Sequence, residues 1–75
     1  RERADEIIML GLRTIAGVDW NRLARRTGLT RDDAVAPKAR AGLIEAGFLE
    51  ETSNSLRATA AGRQRLNAII AKLLG

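Results

Sequence analysis

Apolar residues recur at helical spacing from the start of the chain. Ala4, Ile8, Leu12 and Ile15, with Ile7 and Gly11 beside them, predict a first helix over about 2–15. Gly17 is placed to end it, since glycine enters the left-handed region after a helix at no Cβ cost. Asp19 has the character of an N-cap, its carboxylate accepting from the free amides of the next turn. The second helix then covers 20–26, turning Trp20, Leu23 and Ala24 inward and Arg22, Arg25 and Arg26 largely outward. Gly28 closes it inside Thr27-Gly28-Leu29-Thr30, and two helices joined by such a turn make a helix-turn-helix pattern.

The third helix is less regular. Asp32 and Asp33 suit a helix start, where acidic groups favour the positive end of the dipole. Pro37 cannot lie deep in a helix, so the regular part begins near Pro37 or a few residues earlier and ends at Gly47. Ala39, Leu43 and Ile44 form its apolar face. Phe48-Leu49-Glu50-Glu51 and Ser55-Leu56-Arg57-Ala58 bracket the polar cluster Thr52-Ser53-Asn54, which predicts a short hairpin. Thr59 caps a last helix in which Leu66, Ile69, Ile70, Leu73 and Leu74 keep one face apolar. The expected fold is mainly α: a winged-helix-like domain of four helices with a short two-stranded hairpin as the wing.

At 75 residues and 45% hydrophobic content the chain supports one core and one domain. No run of eighteen apolar residues is present, so no membrane partner is expected. The chain opens on charged residues, without Met, in what reads as the first turns of a helix, and is expected to be a piece of a longer protein. Cysteine and histidine are both absent, which removes disulfides, thiolate chemistry, the usual zinc and iron–sulfur ligands and the commonest general base. The lack of cysteine fits a cytoplasmic location.

Candidate chemistry is correspondingly thin. Asp32 and Asp33, adjacent on a helix, point about 100° apart, and Glu50 and Glu51 on a strand face opposite ways, so neither pair converges on a cation. Ser and Thr have no histidine to activate them, and Lys38 and Lys72 have no evident burial. No catalytic, cofactor-binding or metal residue is expected in this chain. No phosphate-loop pattern exists; Gly17, Gly28 and Gly47 fall at helix ends, while Gly11 and Gly42 mark close packing inside helices.

The net charge of +4 raises the question of nucleic acid. Helix two, with Arg31, Lys38 and Arg40 nearby, offers cations for phosphates. Base reading is poor, because helix three presents mainly Ala, Val and Gly, and Glu50 and Glu51 on the wing repel phosphate. A nucleic-acid-binding winged helix is therefore the second reading. Trp20 either closes the core or anchors an interface. Arg13 and Trp20, separated by a short turn around Gly17, form the candidate interface, an arginine–aromatic pair of the kind enriched there.

Taken together, Glu6-Ile7-Ile8-Met9-Leu10-Gly11-Leu12-Arg13, Gly17-Val18-Asp19, Gly47-Phe48-Leu49 and Thr59-Ala60-Ala61-Gly62-Arg63 resemble a known family. It is the C-terminal domain of the oxygen-independent coproporphyrinogen III oxidase-like proteins, which are radical S-adenosylmethionine proteins of porphyrin metabolism. The resemblance runs from about residue 4 to residue 74, and the Met-Leu-Gly-Leu-Arg block followed by Gly-Val-Asp is its most specific part. The Leu-Gly-Leu-Arg form is closer to the haem chaperone branch than to the true dehydrogenases. Ala58 and Pro37 depart from the family pattern and bear on local packing and helix geometry.

The resemblance implies a parent with a catalytic barrel, a 4Fe-4S cluster and S-adenosylmethionine. It implies that residues 1–75 are a non-catalytic C-terminal accessory domain that helps cover or steady the tetrapyrrole-handling barrel of the same chain. Whether the parent oxidises coproporphyrinogen or delivers haem stays open. The family's three-cysteine motif and its haem-binding histidine segment have no counterpart in this chain, so no family cofactor residue is carried onto it.

Overall fold

Thr14 ends the first helix earlier than the apolar spacing predicts. In the computed structural model, which describes residues 2–74, helix α1 spans Glu2–Leu12. The amides of Arg13 and Thr14 donate to carbonyls three residues back, a tightening of the last turn. Thr14 Oγ1 donates to Gly11 O at 2.7 Å and accepts from Gly17 N at 3.0 Å. Ala4, Ile8 and Leu12 keep to the buried face, but Ile15 leaves it and is 78% exposed.

Val18–Asp19 form strand β1, which the sequence pattern does not announce because two residues carry no alternation signal. Strands β2 (Leu49–Glu51) and β3 (Ser55–Ala58) make the expected hairpin. β1 pairs with β3 through Val18↔Leu56, and β2 pairs with β3 through Leu49↔Ala58, so the sheet has three antiparallel strands in the order β1-β3-β2 instead of two. Gly17 has φ 81°, and a Cβ there would collide with the carbonyl oxygen of Leu56; glycine is what lets the chain cross the sheet at this point.

Helix α2 (Trp20–Thr27) is capped at both ends as expected. Asp19 Oδ1 accepts from Asn21 N at 2.9 Å and Arg22 N at 3.2 Å, and Gly28 takes φ 74°. Trp20 and Leu23 are buried, whereas Ala24, expected to face inward, is exposed.

The irregular third helix resolves into two. Thr30 and Asp33 form a reciprocal capping box on α3 (Arg31–Ala34), and Pro37 starts α4 (Pro37–Glu45) at its first turn, where its missing N–H costs nothing. Ala36, ahead of the proline, has ψ 122°, so the helix cannot run through it. Gly42 meets nothing within 4 Å of where a Cβ would be, and its expected role in close packing is not found. Gly11 does have that role, against Val18 of β1.

The last helix is also split. Thr59 caps α5 (Ala60–Arg63), and Gln64–Arg65 turn the chain into α6 (Leu66–Leu74). Gly62 lies so close to the Phe48 carbonyl oxygen that a Cβ would collide with it. That contact fixes α5 against the hairpin, and the turn then lays Ile69, Ile70 and Leu73 on the core. The described residues thus form six helical segments instead of four. One buried cluster joins them, with Ile8, Leu12, Leu23, Val35, Leu49 and Leu56 at its centre. No helix is long and apolar enough to cross a membrane among the described residues.

Candidate docking surface

The Met9–Arg13 and Gly17–Asp19 blocks meet in space, because β1 runs back along the end of α1. Most of their residues have a role inside the domain. Leu12 and Val18 are core residues, and Met9 packs partly against that core. A Cβ on Gly11 would lie 2.9 Å from Val18 Cγ2, Gly17 crosses the sheet, and Asp19 caps α2.

Three residues at this corner have no such role. Leu10 is 66% exposed, Ile15 is 78% exposed, and Arg13 is exposed with one hydrogen bond to Asn67 Oδ1 at 3.3 Å. Leu10 lies two positions from both Ile8 and Leu12, about 200° around the helix, so it points away from the face they bury. It borders an open groove of about 490 Å³, lined also by Ile7, Thr14, Ala16, Val18 and Arg22. Ile15 and Leu10 are the exposed large hydrophobic side chains of the described residues. Leu10 beside the groove and Ile15 three residues past the helix end give this corner its exposed apolar surface.

The structure does not bring Arg13 and Trp20 together as one patch. Trp20 is 5% exposed and belongs to the core cluster, which corrects its candidacy as a projecting anchor. The physical reason is what covers it. Arg31 and Arg40 lie over its ring with guanidinium carbons 5.2 and 5.8 Å from the centroid, within cation–π range. Its Nε1 is buried without a partner among the described residues.

The two arginines are themselves held in place. Arg31 Nη1 reaches Glu51 Oε2 at 2.5 Å and its Nη2 donates to Ser53 O at 2.7 Å. Arg40 reaches Glu51 Oε1 at 3.3 Å and Asp32 Oδ1 at 2.8 Å. Glu50 pairs with Arg57 at 2.8 Å across the hairpin. The acids Glu50 and Glu51 therefore serve to fasten the hairpin, and Arg31 and Arg40 are engaged within the domain. Arg22, Arg25 and Arg26 stay exposed on α2.

Among the described residues no three of Asp, Glu, His or Cys gather where they could hold a metal ion. A chain without cysteine also lacks the thiolate donors of an iron–sulfur cluster, so these residues do not fit that group.

The model of the HemN C-terminal domain family matches residues 1–65. The chain belongs to that family. A curated relative of this HemN C-terminal domain is "Radical S-adenosyl methionine domain-containing protein 1, mitochondrial" of Dictyostelium discoideum, 40% identical over 74 residues. The match covers 97% of this chain and 17% of that relative, so the chain spans about a sixth of the relative's length. No solved structure matches.

The sequence reading names Arg13 for this corner and does not name Leu10 or Ile15, which the structure exposes. Ile15 was counted with the buried face because its spacing fits a helix that in fact stops at Leu12. Leu10 was legible as an apolar residue at a position where the helical period demands a polar one.

Proposed function

We propose that this chain is a non-catalytic accessory domain of a radical S-adenosylmethionine protein, of winged-helix type. It docks on the catalytic barrel of its own parent chain through the corner formed by Leu10, Arg13 and Ile15. The carrying observation is that these residues of the family-like block, or directly after it, face solvent while their neighbours Gly11, Leu12, Gly17, Val18 and Asp19 build the fold. Burying side chains of this size contributes about 1.5–3 kcal/mol each. Within one chain the barrel is present at a high effective concentration, so a small contact suffices.

The parent would carry the 4Fe-4S cluster and S-adenosylmethionine, and this domain would cover or steady the tetrapyrrole-handling site without touching the chemistry. Family membership supports the accessory role, and the absence of cysteine and histidine from this chain agrees with chemistry housed elsewhere. The choice between oxidation of coproporphyrinogen and haem delivery belongs to the parent. A role in nucleic-acid binding is less well supported, because α4 exposes Pro37, Lys38, Ala41 and Gly42, with no carboxamide for a base edge.

Limited proteolysis of the full-length parent tests the reading. Leu10→Glu with Ile15→Glu is expected to make the domain separable from the barrel while its own melting temperature stays within a few degrees, since both side chains are exposed. A parent whose domain remains as firmly attached as in the wild type overturns it.

A further inference from the structure

Among the described residues the arginines around Trp20 are paired with carboxylates, whereas those at the α5–α6 turn are not. Arg31 and Arg40 share the carboxylates of Glu51 and Asp32. Arg13, Arg63 and Arg65 line a second concavity of about 320 Å³ together with Gln64 and Asn67. None of these three arginines has a carboxylate partner among the described residues.

The break between α5 and α6 puts Arg63 and Arg65 on the lining of one depression. In one continuous helix, residues 63 and 65 would point about 200° apart. The turn at Gln64–Arg65, with Arg65 N donating to Gly62 O at 3.0 Å, sets both on the rim of the same depression. Arg13 comes from the end of α1, held towards α6 by its 3.3 Å bond to Asn67 Oδ1. The guanidinium carbon of Arg65 stands 6.0 Å from the centroid of the Phe48 ring. At that distance, the outer edge of cation–π range, the ring favours the cation without taking up its N–H donors. Three like charges around one depression repel one another, and a bound anion relieves that cost.

We propose that this depression is an oxyanion-binding site. Its ligand is a small, multiply charged anion, a phosphate or an organic polycarboxylate, gripped by the guanidinium edges of Arg13, Arg63 and Arg65 with the carboxamides of Gln64 and Asn67 as neutral donors. Charge-assisted bonds to planar forks match both oxyanions. The site shares Arg13 with the docking corner, but the chain alone carries every residue, so it is tested without the barrel.

The test is a titration of the 75-residue chain with inorganic phosphate and with citrate, followed by NMR of the arginine Nε–H and asparagine side-chain signals. Sodium chloride at equal ionic strength is the control. Saturable shifts at Arg13, Arg63, Arg65 and Asn67 with either oxyanion, and none with chloride, are expected; the tighter of the two names the source. Arg63→Ala with Arg65→Ala is expected to weaken binding by about tenfold or more, on the scale of lost charge-assisted bonds. Arg22→Ala with Arg25→Ala, an equal loss of charge on α2, leaves it unchanged. Arg13→Gln provides a second check should the double variant fold poorly. Shifts that never saturate, or that fall equally in both double variants, overturn the proposal. So does a glutamate-rich peptide that binds where both small anions fail, which makes the depression a protein contact.

Discussion

Glu51 holds Arg40 over the indole of Trp20. The carboxylate meets Arg40 Nε at 3.3 Å from one oxygen and Arg31 Nη1 at 2.5 Å from the other, so a single residue ties the hairpin to α3 and α4. Side-chain exposures of 12–33% place these pairs between the surface case, worth about 0–1 kcal/mol, and the fully buried case, where removing one partner costs about 3–5. Glu51→Gln is therefore expected to lower stability by about 1–3 kcal/mol in urea unfolding. Glu50→Gln, which removes one charge of a half-exposed pair with Arg57, is expected to cost under about 1 kcal/mol. Equal losses in the two variants would contradict this ranking.

The glycines separate in the same experiment. Gly17→Ala meets both a left-handed backbone and the Leu56 carbonyl, and Gly62→Ala meets the Phe48 carbonyl. Each is expected to destabilise by about 2 kcal/mol or more, since backbone cannot retreat as a flexible side chain can. Gly42→Ala lies inside α4 with open space around it and no positive φ. It is expected to stabilise the fold by about 0.5–1 kcal/mol, the helix-propensity difference.

Trp20→Ala removes a core side chain and the platform under two guanidinium groups. A loss of about 3–5 kcal/mol is expected from thermal or chemical unfolding of the chain itself. Trp20→Phe is expected to cost less, because the Nε1 that it deletes has no hydrogen bond to lose. A Trp20→Ala variant as stable as the wild type would mean that the ring does not hold the core.

Much of this architecture is legible in the sequence, for local reasons. Asp19, Thr59 and Gly28 cap helices, and Leu49–Glu51 and Ser55–Ala58 form strands, because each depends on neighbours a few residues away. Features that rest on distant partners are not legible. Strand β1 exists because Val18 finds Leu56, and α5 stops short of α6 where Gly62 sits on Phe48. The end of α1 depends on one hydroxyl: Thr14 binds the Gly11 carbonyl, and Ile15, though at the right spacing, turns outward. The same limit applied to the candidate sites. Arg13 stands out from its place in the motif, but only the fold puts it beside Arg63 and Arg65 and buries Trp20 beneath Arg31 and Arg40.

DNA binding is expected to be weak, salt-sensitive and indifferent to sequence. Arg31 and Arg40 are engaged with Glu51 and Asp32, and the exposed Arg22, Arg25 and Arg26 can contact phosphates, while α4 adds only Lys38 and Glu45 as exposed polar side chains and no carboxamide for a base edge. Fluorescence anisotropy on unrelated duplexes at several salt concentrations checks this. Nanomolar binding to one sequence at physiological salt, weakened by Arg25→Ala, would place nucleic-acid recognition first.

Hydrogen exchange bears most directly on the accessory-domain account, by comparing this chain in isolation with the same residues inside the full-length parent. The Gly28 and Ala46 amides, which donate within the domain outside this segment, serve as internal references. If the corner docks on the barrel, amides across 10–16 exchange more slowly in the parent, and Leu10→Glu with Ile15→Glu restores the rate of the isolated chain. Identical exchange across 10–16 in the two contexts, with protection gained on some other face or none, would contradict the account.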